Sequence, residues 1–588
     1  MNTQISLKAF VMLLAIVAFS CSILHAQRVL DIDEIQVVAP YEPTISDAFK
    51  INVNPAIEDT LRVEMDFDYS IQPQKIASKF ETDPITPARM RGEPLSKLYR
   101  GHVKGGYGSY QTPYFEGFYN TLRSNQYALG VHLKHLSSGS GTEDHPHSVY
   151  SENKANIYGT RFFRNNALET DLLYNRQVVH YYGTHDGMIW PDGAPDVLPA
   201  TLSGASDIRQ RYEFLSSRAG FGSTHADVSK LQYHAGIGHQ WLSDRHDGNE
   251  HHFSLKGNLG RKIGADPFDI ADRQYFRMDM GADYYHHNNP TDTSNTGIYS
   301  IRPQLHSTID RLQFHLGANL SVEDDNASYE LRAYPLAGLE MELIPGYLVA
   351  HMAVSGKTEK QSWRKLSAVN PFVQPSPNMA LTNVRSEIDY GVRGSFGDVL
   401  SFKVGLTHSN VDNYPLFGRA IHADGIIIRA KEGEWTLSQP FHVIYDNIKK
   451  IHLHAELFSL FGDRFSLRLR GDYFDYTLEN QQKAWHKPDF LVSMNISYSI
   501  QDKIILTADL YGRDKAYGVI MPDRPPFMPV AAKLHDFYVD ANLGIEYRYT
   551  KLLAVFLNFY NMQNESYERW LHYPTHGFSF LGGVSYSF

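Results

Sequence analysis

Histidine is the residue type in this chain with the widest chemical reach, and there are 28 of them. His145, His147, His185, His246, His251, His252, His286 and His287 fall in stretches that read as polar loops. Imidazole clusters bind transition metals or haem. No pair here has the i, i+4 helical spacing or the Cys/His spacing of a defined site. His251 and His252 are adjacent on a strand, so they face opposite ways. Solvated loop side chains are the simpler reading, and no metal or cofactor is expected. A second group is charged and periodic: Arg468, Arg470 and Asp472, then Asp540, Glu546 and Arg548. Such residues line a permeation path or form cross-strand ion pairs that knit a wall. The structural role is the one favoured. A third candidate is Asp33-Glu34-Ile35-Gln36-Val37-Val38, which could add a strand to a partner by main-chain pairing. Pro40 and Pro43 keep the residues after it extended. Gly139-Ser140-Gly141 lacks the strand–turn–helix context of a nucleophile elbow. No glycine-rich phosphate loop and no nucleophile–base pair stands out, so enzymatic activity is not expected.

The elements that carry the charged rows are amphipathic strands. Phe580, Val584, Tyr586 and Phe588 share one face of the last nine residues, while Gly583, Ser585 and Ser587 share the other. Val539, Ala541, Leu543, Ile545 and Tyr547 oppose Asp540, Asn542, Gly544, Glu546 and Arg548 in the same way. Phe465, Leu467 and Leu469 oppose Ser466, Arg468, Arg470 and Asp472, and Val492, Met494, Ile496 and Tyr498 oppose Ser493, Asn495, Ser497 and Ser499. One wall in hydrocarbon and one in water produce this alternation. An arginine on the lipid side would cost roughly 2–4 kcal/mol at the bilayer midplane. Each arginine in these strands sits on the polar side. Val584, Tyr586 and Phe588 are therefore expected to close the barrel against its first strand and to be read by the machinery that inserts barrels into the outer membrane.

Composition agrees. Aromatics make up 13% of the chain, with 37 Tyr and 32 Phe, which interfacial girdles would explain. Mean hydropathy is −0.36, and beyond the first thirty residues nothing approaches the roughly 20 apolar residues of a membrane helix. A net charge of −10 argues against nucleic acid as a partner. Residues 1–26 read as a signal peptide, with Lys8 ahead of an apolar run and Leu24-His25-Ala26 before the cut. The single cysteine, Cys21, lies inside it, so no disulfide is expected in the mature chain. Residues 27–97 are proline-rich and charged, a short periplasmic or lumen-associated leader. Residues 98–588 carry the strand rhythm. Short connections at 123–125, 164–166, 397–398, 462–463, 501–502 and 550–551 alternate with long polar ones near 138–151, 184–206, 286–297, 358–383, 477–487, 515–536 and 562–576. Short turns at one end and long loops at the other mark a transmembrane barrel. Twenty-four stretches can be counted, with the divisions near Asp446 and at 262–272 the least regular.

The C-terminal third resembles the TonB-dependent receptor barrel, above all the plug-poor versions of Bacteroidota. The residues that carry the likeness are Trp485-His486-Lys487-Pro488-Asp489-Phe490, Leu543-Gly544-Ile545-Glu546-Tyr547-Arg548-Tyr549, Leu557-Asn558-Phe559-Tyr560-Asn561-Met562 and Tyr573-Pro574. Asp33 to Val38 is similar to a degenerate Ton box. The resemblance implies an all-β transmembrane antiparallel barrel of about 22 strands, within 20–24, lodged in outer-membrane lipid. It also implies TonB as a periplasmic partner and transport as the activity. The stretch 27–97 is too short for that family's complete plug domain. The lumen is then expected to be closed by the leader, by inward-folded loops, or by a partner protein, and the long loops could recruit surface lipoproteins. Against transport stand two other readings, a scaffold of an outer-membrane complex and a passive porin.

Overall fold

The computed structural model describes residues 98–588, apart from 143–144, 146, 184–207, 264–272, 290–292, 326–327, 422–425, 431–433, 439 and 523–528. The expected signal peptide and leader, with the stretch Asp33–Val38, and His185 lie outside the described residues. Residues 98–588 form one unit.

Twenty-two antiparallel strands close into a barrel. The first is Gly101–Gly108 and the last Ser579–Ser587. They pair from His102↔Ser587 to Gly108↔Leu581. The final residue is part of the seam, since Phe588 N–H donates to Gly101 O and Phe588 O accepts from Arg100 and Gly101, all at 2.9 Å. His102 Nδ1 and Ser587 Oγ add a side-chain contact of 2.9 Å. Val584, Tyr586 and Phe588 point outward and are 53%, 44% and 53% exposed. In water that would be an apolar liability; in lipid it is the contact surface. The same holds around the wall at Ile237, Leu255, Leu316 and Leu543. No described helix is long and apolar enough to cross a membrane.

The expected hairpin rhythm holds at the short-turn end, where each connection named above joins two paired strands through three to six residues. Two expectations fail. The division near Asp446 does not exist, because His442–Phe461 is one strand. The irregularity that suggested it belongs to its neighbour, Leu400–Ile421, whose register shifts between Val411 and Tyr414. The long loop expected at 286–297 is instead the tip of two strands, Arg273–Asn288 and Thr293–Ile309. Those strands rise beyond the roughly 10 residues needed to cross the bilayer, and above the lipid a polar strand end is unpenalised. Sequence polarity there reads as loop. The division at 262–272, by contrast, separates two antiparallel strands, Asn249–Lys262 and Arg273–Asn288.

The wall is irregular in one sector. Strand Ser328–Ile344 pairs with Leu348–Lys360 only from Ala337↔Val354 downward. Above that point Leu348–Lys360 parts from Ser328–Ile344 while staying paired with Leu381–Phe396 as far as Lys360↔Leu381. Asn319 Nδ2 reaches Gly356 O at 2.9 Å, and Lys360 Nζ donates to Thr296 Oγ1 at 2.9 Å. Register shifts at Ser355/Lys357, Val384/Ser386 and Val411/Tyr414 fall in three consecutive strands. Bulges bend strands, and these turn the rim inward and aim the following loop across the mouth.

The seam gives the first prediction. A Cβ on Gly583 would strike Gly105 O and Gly106 Cα, both backbone atoms, whereas a Cβ on Gly105 meets nothing within 4 Å. Gly583→Val should spread the seam and abolish the heat-dependent gel shift of a folded barrel. Gly105→Ala should keep it. Equal behaviour of the two variants would refute this account of closure.

Candidate functional site

The long-loop end is not a fringe of solvated loops. It carries a packed core. Leu366, Val373, Phe417, Phe441, Val443, Trp570, Leu571 and Tyr573 form one buried cluster, and Val179, Tyr212, Phe214, Leu242 and Trp363 form another. Trp363, Val373, Phe441 and Trp485 are fully buried. Residues this apolar, on strand ends and loops, are buried only if segments from different sectors meet.

They meet along segment 361–374. It opens with a short helix, Trp363–Val369, started by Ser362, whose hydroxyl accepts from Lys365 N–H. The helix docks against strands several places back around the barrel. Glu250 accepts from Trp363 N–H at 2.7 Å and Arg364 N–H at 3.1 Å. The Arg364 guanidinium lies 4.1 Å over the Phe214 ring. Trp363 packs edge-on against Tyr212 and His287. Downstream, Tyr212 Oη donates to Pro371 O at 3.2 Å and Tyr181 Oη to Val373 O at 2.9 Å. Phe441 N–H then donates to Phe372 O at 2.8 Å and Gln374 N–H to Phe441 O at 2.9 Å. Phe372 stacks on Tyr573, and Tyr182 packs against both rings. One segment thus joins loops rooted on well-separated strands, and the mouth is bridged.

Arg419 locks the far side. It is 1% exposed, at the end of Leu400–Ile421, where Arg419↔Ile520 starts a short parallel pairing with Ala516–Pro522. Its Nη1 donates to Leu571 O at 3.0 Å and its Nη2 to Gly183 O at 2.6 Å. The guanidinium also lies within 6 Å of the Phe441 and Tyr573 rings, close enough for cation–π attraction. His486 is the second lock. Its Nδ1–H donates to Phe417 O at 3.0 Å, and its Nε2 accepts from Leu571 N–H at 3.3 Å. That arrangement requires the neutral ring. Burial, with Arg513, Lys487 and Arg419 nearby, lowers the His486 pKa to about 3. Burial and nearby arginines also lower Lys487 to about 8.

Two cavities lie beside the bridge. One, of about 750 Å³, sits under the helix and carries mixed charge, including Glu250, Asp283, Arg302 and Lys365. The other, of about 890 Å³, lies against the seam and is rich in tyrosine.

The residues singled out from sequence are dispersed. Arg470 makes two bonds to Asp472, at 2.8 and 3.0 Å, and His452 Nε2 lies 2.8 Å from the same carboxylate. Arg468 is 3.6 Å from Glu456 and Arg548 3.0 Å from Glu546. Asp540 accepts from Tyr567 Oη at 2.8 Å. Partly exposed pairs of this kind contribute about 0–1 kcal/mol each. Of the histidines, His145 packs on Tyr182. His246 N–H donates to Asp244 at 2.8 Å, and His147 lies in the same long loop as His145. His251 stacks on His239 while His252 reaches Asp283 on the opposite face, as adjacent strand residues must. His286 meets Asn295, and His287 meets Ser376. Among the described residues no group of three or more His, Cys, Asp or Glu could hold a metal ion.

No protein-family model matches the chain, and no curated protein sequence does. Solved structures do match. The pyoverdine outer membrane receptor FpvA of Pseudomonas aeruginosa PAO1, bound to pyoverdine, superposes with a TM-score of 0.62 at 11% identity, over 84% of this chain and 79% of that one. The FrpB iron transporter of Neisseria meningitidis (F3-3 variant) gives 0.61 at 7% identity, over 84% and 82%. The ferric-catecholate import receptor Fiu of E. coli K12 gives 0.58 at 11% identity, over 84% and 82%. At these identities the likeness is one of fold.

His486 supplies the second prediction. Its folded pKa of about 3 lies below the ordinary histidine value of about 6.5. The stability it contributes is therefore complete above pH 6.5 and lost as pH falls toward 3, by about 2 kcal/mol at pH 5. Trp570 lies 5.1 Å from the imidazole. Its fluorescence should change between pH 7 and pH 5 in the native chain and not in His486→Asn, which tolerates the left-handed backbone there (φ 61). An unchanged pH response in the variant would exclude His486 as the cause.

Proposed function

We propose that the protein is an outer-membrane barrel of the TonB-dependent receptor kind, working in transport or as the barrel part of a transport complex. The observation that carries this reading is the bridged mouth. A closed 22-strand barrel is wide enough to leave a lumen that wall side chains do not fill. A passive pore has no use for a hydrophobic core built across its entrance. A barrel that admits selected cargo does. The fold it shares with outer-membrane receptors and an iron transporter supports transport over catalysis.

In this reading lipid surrounds the outward apolar belt, and the insertion machinery reads the strand ending at Phe588. Asp33, Glu34, Ile35, Gln36, Val37 and Val38 add a strand to TonB. The charged rows at Arg468, Arg470, Asp472, Asp540, Glu546 and Arg548 line the route inside while each is held by a neighbour on the wall. The bridged long-loop surface offers a platform for a surface lipoprotein.

The test is capture of the TonB C-terminal domain by the full chain in detergent. Native protein should retain it. Val37→Pro, which removes a main-chain donor from the pairing stretch, should not. Absence of capture by the native protein would end the energy-coupled version of this proposal.

A further inference from the structure

Four arginines gather at one place on the outer side of the wall. Arg176 shares the outward face of Asn166–His180 with Leu172 and pairs with Glu213 on the next strand, Arg209–Ser223. Arg209 and Arg211 continue that outward face, while Gln210 and Tyr212 between them are buried inside. Arg245 joins them from the turn between Gln232–Asp244 and Asn249–Lys262, its Nη1 donating to Arg209 O at 3.2 Å. Their height follows from strand length. Arg176 comes ten residues after Asn166, and Arg211 and Arg209 stand twelve and fourteen residues from Ser223, counting from the short-turn ends. Crossing the hydrocarbon takes about 9–11 tilted residues. The group therefore stands where the wall leaves the lipid on the long-loop side, level with outer-leaflet headgroups. One step lower on the same face are Tyr174 and Trp241, placed as interfacial aromatics. Below them Leu172 and Ile237, 45% and 65% exposed, face the acyl chains.

The group carries more positive charge than its surroundings balance. Arg176 Nε and Arg211 Nε approach the same Glu213 carboxylate oxygen at 3.6 and 3.4 Å, both longer than a good N–H···O bond. Arg211 Nε is buried and has no hydrogen-bond partner among the described residues. Arg176, Arg211 and Arg245 all act on Arg209 as like charges. Of the nearby acids, Asp247 sits in the same turn as Arg245, and Asp244 is turned inward onto Gln210. His180 is beside Arg209 in the pairing and its Nδ1–H donates to Val149 O at 2.8 Å. Four guanidinium groups against Glu213 and Asp247 leave two positive charges over among the described residues. Arg385, on Leu381–Phe396, shows the balanced alternative, one guanidinium with one carboxylate, its Nε donating to Asp412 at 2.7 Å.

We propose that this patch holds the phosphate-bearing headgroup of an outer-leaflet lipid, with the phosphate between Arg209 and Arg211 and the acyl chains lying on the belt below Trp241. A guanidinium meets two phosphate oxygens at once, which makes arginine the residue suited to this group. A soluble anion or an acidic protein loop would use the charge and leave the exposed apolar side chains beneath it untouched. A lipid uses both. The inference goes beyond the transport reading: it needs the barrel to sit in an outer membrane and is indifferent to what the barrel carries.

The full chain in detergent is presented with bisphosphorylated lipid A and with the same lipid stripped of its phosphates, and retained lipid is counted by native mass spectrometry. The native chain should hold the phosphorylated form about tenfold or more tightly than the stripped one. The double variant Arg209→Gln, Arg211→Gln should erase that preference and leave binding of the stripped lipid as it was. Arg385→Gln should change neither. Glu213→Gln, which removes the carboxylate competing for the arginines, should tighten binding of the phosphorylated lipid, a gain that a merely structural role would not produce. Each variant is first shown to be a folded barrel by its heat-dependent gel shift, and Glu213→Gln keeps a readout if the double variant fails to fold. Equal retention of the two lipids, a preference that survives the double substitution, or weaker binding in Glu213→Gln would overturn the proposal. So would displacement of the lipid by inorganic phosphate at equal concentration, which would mark a simple anion site. Capture or loss of TonB bears on the transport reading and leaves this site unaffected.

Discussion

Every peptide group at the lipid level must find a partner within the protein, because hydrocarbon offers none. This constraint organises the molecule. It requires the chain to return to its beginning, so Ser579–Ser587 pairs with Gly101–Gly108. It makes the seam a place where backbone meets backbone, with glycines at 106, 108 and 583 allowing close approach. It also explains where irregularity is permitted. Ser328–Ile344 keeps its pairing with Leu312–Asp325 throughout but loses Leu348–Lys360 above Ala337, near Pro335, a residue with no N–H to satisfy.

Closure with 22 strands creates the second problem, a lumen too wide for wall side chains to fill. The described residues answer it at the long-loop end with a piece of soluble-protein architecture. Three bulged strands tilt the rim inward, segment 361–374 crosses, and buried aromatic rings fill the crossing. Arg419 shows how tightly this is drawn. A buried guanidinium is expensive, and here backbone carbonyls from two different loops and two aromatic faces help offset the cost. Such a group persists only where the loops are held in one arrangement.

Much of the barrel was legible because alternation is a local signal. The outward set at Val584, Tyr586 and Phe588 and the tight turns at 397–398 and 501–502 follow directly from residue order. What alternation does not report is height relative to the membrane. The tips around His286 and Asn295 therefore read as loop, and the bulge near Val411 was misplaced onto Asp446. The bridge was harder still. Trp485-His486 and Tyr573-Pro574 stood out as family-like motifs, but nothing local says that His486 and Leu571 share a hydrogen bond across the mouth. Arg419 gave a faint sign, a lone arginine closing the apolar run Pro415-Leu416-Phe417-Gly418. Its partners lie in loops far away in sequence, and only the closed barrel brings them together.

The claim that matters most is that the mouth is held shut by contacts among its own loops. Conductance across planar bilayers addresses it directly. Native protein should show little steady current, and Arg419→Met, which leaves Leu571 O and Gly183 O without their donor, should open frequent large conductance steps. A native protein that already conducts like a wide pore, with Arg419→Met indistinguishable from it, would contradict the account.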